Sequence, residues 1–143
     1  MILIDANLVI YAHDGSDPLH PAARPWLERT IGGEEPVGFA LMTLLAFLRV
    51  STNPRLHLEP LSSAMACAIV RSLLDHPNVR MVTPTDRHWS TFEDLAARGQ
   101  ARGPLLMDAH LAALAIEHGA TLATTDRDFA RFPGLRTIDP LAT

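Results

Sequence analysis

Short runs of β-forming aliphatic residues alternate with helical segments along the whole chain, and this alternation narrows the possible architectures more than any other feature. MILI runs into DANLVIYAH, PVGFA into LMTLLAFLRVST, and VRMVTP into DRHWSTFEDLAARG. PLLMDAHLAALAIEHG leads into ATLATTD, and LRTID follows near the end. Strands separated by helices pair in parallel, and a parallel sheet must be covered on both faces. The expected fold is therefore α/β: one domain over residues 1–143, with a mostly parallel central sheet of about five strands flanked by helices.

Local signals set the helix limits. Pro18 and Pro21 suit the start of a helix over HPAARPWLERTI, and Gly32-Gly33 its stop. Asn53-Pro54 ends the apolar helix LMTLLAFLRVST. A serine caps SSAMACAIVRSLLDH, which closes before Pro77, while Gly99 and Gly119 end the two later helices.

A chain of 143 residues with 48% hydrophobic and 20% charged residues can bury a real core and is not disordered. Its apolar runs are too short to cross a bilayer, and Asp5 falls where a signal peptide would be basic. The single Cys67 excludes an internal disulfide and a cysteine zinc cluster; in AMACAIV it reads as a small core residue. Trp26 and Trp89 also read as core. The expected location is the cytoplasm. A net charge of −4 argues against nucleic-acid binding by bulk charge, unless several acids are gathered at a cation.

In open α/β sheets the functional groups lie beyond the carboxyl ends of the strands. That rule selects four of the 16 acids. Asp5 ends the first strand, Asp126 ends the fourth, Asp128 lies two residues on, and Asp108 opens the helix that feeds the fourth strand. Each has a plain structural reading: helix caps for Asp5 and Asp108, a solvated turn for Asp126 and Asp128. Their shared position outweighs these readings taken singly. Carboxylates crowded in one crevice repel, and a cation relieves the repulsion. Oxygen-only ligands suit Mg²⁺, with Mn²⁺ as the alternative, and the chemistry that follows is metal-assisted phosphodiester hydrolysis. The expectation is that Asp5, Asp108 and Asp126 come within bridging distance of one cation.

Other chemistries lack their residues. The seven histidines form no HExxH pair and read as surface or packing groups, and no GxGxxG, Walker loop or nucleophile elbow is present.

MILIDANLVIYA, LLMDAHLAALAIEHG and TLATTDRDFARFPGL, with FLRVSTNP between them, resemble the PIN-domain ribonucleases, specifically the toxins of VapBC-type toxin–antitoxin modules. The resemblance implies an α/β fold in which clustered acids bind Mg²⁺ or Mn²⁺ and RNA is cleaved. It makes Asp5, Asp108 and Asp126 the metal ligands and Asp128 an auxiliary acid. Thr124 and Thr125 stand where a hydroxyl orients ligands or phosphate. It further implies a small antitoxin as partner, RNA as substrate and a homodimer.

One position departs from the pattern. Ala46 stands where the family commonly carries a glutamate. Glu34 and Glu35 precede their strand and so lie at its wrong end, whereas Thr43, a helical turn before Ala46, is placed to hold a water on the same face. Ala46 is the one support for a rival reading, a weakened domain that binds RNA or a protein without efficient turnover. A DNA flap nuclease is a third reading, disfavoured by the small number of acids. Arg49, Arg55, Arg102 and Arg127 are candidate phosphate contacts, with plain solvation the stronger reading for Arg55 and Arg102.

Overall fold

The computed structural model describes residues 1–143. Strand β1 (Ile2–Ile4) runs into helices α1 (Ala6–His13) and α2 (His20–Ile31). Strand β2 (Val37–Ala40) runs into α3 (Leu41–Ser51), and α4 (Ser63–Leu74) leads to β3 (Val79–Val82). Helices α5 (His88–Arg98) and α6 (Leu105–Glu117) precede β4 (Thr121–Ala123), and a short 3₁₀ turn over Arg127–Arg131 separates β4 from β5 (Thr137–Ile138).

The five strands form one sheet in the order β3-β2-β1-β4-β5, and every pairing is parallel. From β1 the chain winds outward through β2 and β3 on one side, then crosses back to β4 and β5 on the other. The winding reverses between β1 and β4, which opens a crevice beyond their carboxyl ends. Asp5 follows β1 directly, and Thr124 to Asp126 follow β4.

Both sheet faces are covered, which explains the unbroken apolar strands. On one face Leu8, Val9, Leu27, Leu44 and Phe47, from α1 to α3, pack with Ile4 and Phe39. On the other, Leu95, Leu111, Leu114, Phe129 and Phe132 close over Leu3 and Leu122. Gly38 in β2 is demanded by packing, because a Cβ there would meet Val82 Cγ2 at 2.4 Å.

Caps and stops act where the sequence places them. Ser62 Oγ accepts the Met65 N–H at 3.1 Å, α2 covers HPAARPWLERTI with proline in its first turn, and Gly119 follows α6 with φ +64°.

Two packing expectations fail. Cys67 is exposed, because α4 buries the stripe of Ala66 and Leu73 and turns its neighbour outward. Trp89 is 67% exposed, since α5 buries Leu95 on a different face; Trp26 is half-buried against the core. No helix is long and apolar enough to cross a membrane.

Candidate active site

Asp5 serves two purposes. As N-cap of α1 it has extended backbone, and its Oδ1 accepts the Ala6 N–H at 2.7 Å. Its backbone N–H donates to Ala123 O at 3.0 Å, which ties the end of β1 to the end of β4. Its Oδ2 accepts the Thr124 hydroxyl at 2.7 Å. Capping and site membership are thus properties of one residue. Burial raises the Asp5 pKa, the hydrogen bonds from Thr124 and Ala6 pull it down, and the charge of Asp126 pushes it up again.

Thr124 is buried, and its Oγ1 also accepts the Asp126 N–H at 3.0 Å. One hydroxyl therefore links the acids that end β1 and β4. Asp126 Oδ1 accepts the Asp128 N–H at 2.8 Å, which caps the 3₁₀ turn and leaves Asp128 exposed. The turn expected of Asp126 and Asp128 exists, and it faces the crevice.

Asp108 does not cap α6. It lies within the helix's first turn, behind Pro104 at the N-cap, so capping cannot account for it. Its pKa is raised to about 6, first by burial and then by the charges of Asp126, Asp5 and Asp128, with Arg131 pulling the other way. The charges of the other three selected acids all bear on Asp108, so the four are brought to one crevice from three parts of the chain.

The grouping is looser than the sequence suggested. No three acids, histidines or cysteines are drawn close enough to hold a metal ion by themselves. Like charges keep apart when their repulsion is unopposed, and Mg²⁺ retains several waters, so a crevice of separated carboxylates still matches its donor chemistry. Arg131, fixed by a 3.0 Å bond from its guanidinium to Gly99 O, is the one cation acting on Asp108. Arg131 was not legible in the sequence, because nothing local ties position 131 to Asp108.

Two neighbouring expectations come out differently. Glu35 pairs with the N-terminal amine at 3.2 Å, at the amino end of the sheet and away from the four acids, as expected. Thr43, by contrast, is buried, with an Oγ1 that has no hydrogen-bond partner within the chain. Ala46 is half-buried on α3, which starts at the carboxyl end of β2.

A second titratable cluster joins α5 to α6. The Glu117 side chain is 1% exposed; it accepts the Thr85 N–H at 2.8 Å and faces His88 Nδ1 at 2.8 Å. His88 Nε2 faces His110 Nδ1 at 2.8 Å. Burial, and then His88, lower the His110 pKa against the opposing charge of Glu117. No sequence signal marks this group, whose members have no common spacing.

The fold and the acid crevice together define a class, and comparison with known proteins agrees. The PIN domain family model matches residues 2–135. Ribonuclease VapC43 of Mycobacterium tuberculosis is 41% identical over 99% of this chain and 96% of its own length. VapBC2 from Rickettsia felis, solved bound to a DNA fragment from its promoter, superposes with a TM-score of 0.69 at 17% identity, covering 96% of this chain and 98% of that one. Mycobacterium tuberculosis VapC20, described as a sarcin-ricin loop cleaving toxin, has a TM-score of 0.65 at 19% identity, covering 95% of this chain and 99% of that one. The chain belongs to the PIN-domain family and, within it, to the VapC ribonucleases.

Proposed function

We propose that the chain is a Mg²⁺-dependent endoribonuclease acting as the toxin of a toxin–antitoxin module in the cytoplasm. The observation that carries this reading is the four-acid crevice at the β1/β4 switch point, where burial first, and then the charges of Asp126, Asp5 and Asp128, push Asp108 up to about 6. Asp5, Asp108 and Asp126 would hold the ion, with Asp128 auxiliary. The chemistry an ion held there would supply is polarisation of a phosphoryl group and a more acidic water.

The protein's own residues prepare that site. Thr124 fixes the Asp5 carboxylate and the Asp126 backbone with one hydroxyl. Asp126 anchors the turn that carries Asp128 and Arg131. Arg131 keeps guanidinium donors beyond its bond to Gly99 O, and these suit a phosphodiester approaching acidic walls.

The relatives supply the partner. A small antitoxin would neutralise the crevice, with an arginine as the group that fits clustered carboxylates. Leu41 and Leu45, exposed one turn apart on α3, are apolar surface for that partner or for the second copy of a homodimer.

The test is incubation of the purified chain with mixed cellular RNA, with Mg²⁺, with Mn²⁺ and with chelator. Cleavage that needs the ion and vanishes in Asp108→Asn supports the reading. Cleavage that persists in chelator removes the metal, and no cleavage under any condition favours the RNA-binding alternative that Ala46 suggests.

A further inference from the structure

Beside Asp126, a cleft of about 310 Å³ lies between the carboxyl ends of β4 and β5. It shares Thr124 and Asp126 with the acid crevice, so a chain crossing the acids enters it directly. Of its seven lining residues only Ala130 is apolar, which selects for a hydrogen-bonding ligand.

Three groups in the cleft have capacity to spare. Arg127 is exposed and takes part in none of the chain's ion pairs. Asp139 Oδ1 accepts the Leu141 N–H at 3.0 Å, and its other oxygen has no partner within the chain. The Thr137 hydroxyl adds a small donor and acceptor on the same wall. An arginine fork suits a phosphate. An ionised carboxylate only accepts, so it favours a base that offers N–H groups side by side. Among the four RNA bases, guanine alone presents two adjacent donors, N1–H and N2–H, on its Watson–Crick edge. Adenine, cytosine and uracil set an acceptor beside their donor, and its lone pair would face the carboxylate. Exposed single-stranded bases are read on this edge.

We propose that this cleft seats a guanine nucleotide adjacent to the cleaved phosphodiester, with Asp139 accepting from the base and Arg127 holding its phosphate. The proposal rests on the ribonuclease reading above and adds base selection to it.

The test titrates guanosine, inosine and adenosine 5′-monophosphates into the full chain in Mg²⁺ and follows the amide NMR signals of Thr124, Thr125 and Asp139. Inosine lacks one donor, and a hydrogen bond to a charged group is worth about tenfold or more in affinity, so guanosine monophosphate should bind at least about tenfold tighter than inosine monophosphate. Adenosine monophosphate should be weaker still. Asp139→Asn can keep the turn through its amide oxygen, yet it sets donors against donors and should abolish the preference. Arg127→Gln should weaken all three nucleotides by the same factor. Equal affinities in the wild type, or a preference that survives in Asp139→Asn, overturns the proposal. Sequencing of cleaved RNA ends separates the two readings. Cut sites without a flanking guanine overturn the subsite and leave the nuclease, whereas guanine-selective binding without cleavage keeps the subsite and removes the nuclease.

Discussion

Thr124 Oγ1 donates to Asp5 Oδ2 at 2.7 Å across 119 residues of sequence. The same oxygen accepts the Asp126 N–H, so one buried hydroxyl sets the spacing of the acids that end β1 and β4. Thr124→Val removes both bonds and leaves a part-buried carboxylate oxygen short of a donor. A hydrogen bond to a charged group is worth about 2 kcal/mol, so a loss of that order is expected in chemical denaturation. Thr124→Ser should recover most of the stability and of the RNA cleavage. A valine variant as stable as the wild type would deny the hydroxyl this role.

Asp108 carries the cost of the crowded acids. Its folded pKa of about 6 lies above the ordinary carboxylate value, so the native state binds the extra proton and loses stability as pH rises through about 6. In chelator, Asp108→Asn should therefore raise the melting temperature at pH 7.5 and raise it much less at pH 4.5. Mg²⁺ should stabilise the wild type above pH 6 more than the variant. Melting curves at both pH values, with and without the ion, check the sign. A wild type that gains on Asp108→Asn as pH rises in chelator would contradict it.

His110 pulls the other way. Its pKa is lowered by burial and by His88, so the unfolded chain takes up the proton first and stability is lost as pH falls below 6.5 toward the folded value. The 2.8 Å contact with His88 also requires one of the two facing nitrogens to lack a proton, so both rings cannot be charged and still bonded. With saturating Mg²⁺ to suppress the Asp108 contribution, melts between pH 7 and 5.5 should fall more steeply for the wild type than for His110→Gln. Parallel curves would show that the His88–His110 contact carries no proton linkage.

Ala46 tests the placement of α3. Ala46→Glu restores the acid that the family resemblance implies, and an added oxygen ligand in a partly desolvated crevice should tighten Mg²⁺ binding. Several-fold is the expected gain in calorimetric titration, and most of it should vanish when Asp5→Asn is added, because both acids would act on one ion. Cleavage need not rise, since tighter ground-state binding does not by itself lower the barrier. Unchanged affinity would mean that α3 turns position 46 away from the acids.

The elements were legible because their signals are local. Aliphatic runs mark strands, proline, serine and glycine mark helix ends, and an acid at the end of a strand needs only its neighbours to be noticed. On that basis Asp5, Asp108, Asp126 and Asp128 could be selected before any fold was known. The exposure of Cys67 and Trp89 was not legible, because burial of a helical position depends on which face the sheet covers. Tertiary structure alone decided the rest. Parallel pairing of β1 with β4 brings position 5 to position 124, and the turn after β4 brings Arg131 toward Asp108. The same kind of closure joins Glu117, His88 and His110, and opens the cleft between Arg127 and Asp139. Such contacts link residues far apart in the chain, and no periodicity encodes them. Local signals mark which acids end strands or open a helix; the parallel pairing of the sheet decides which of them meet.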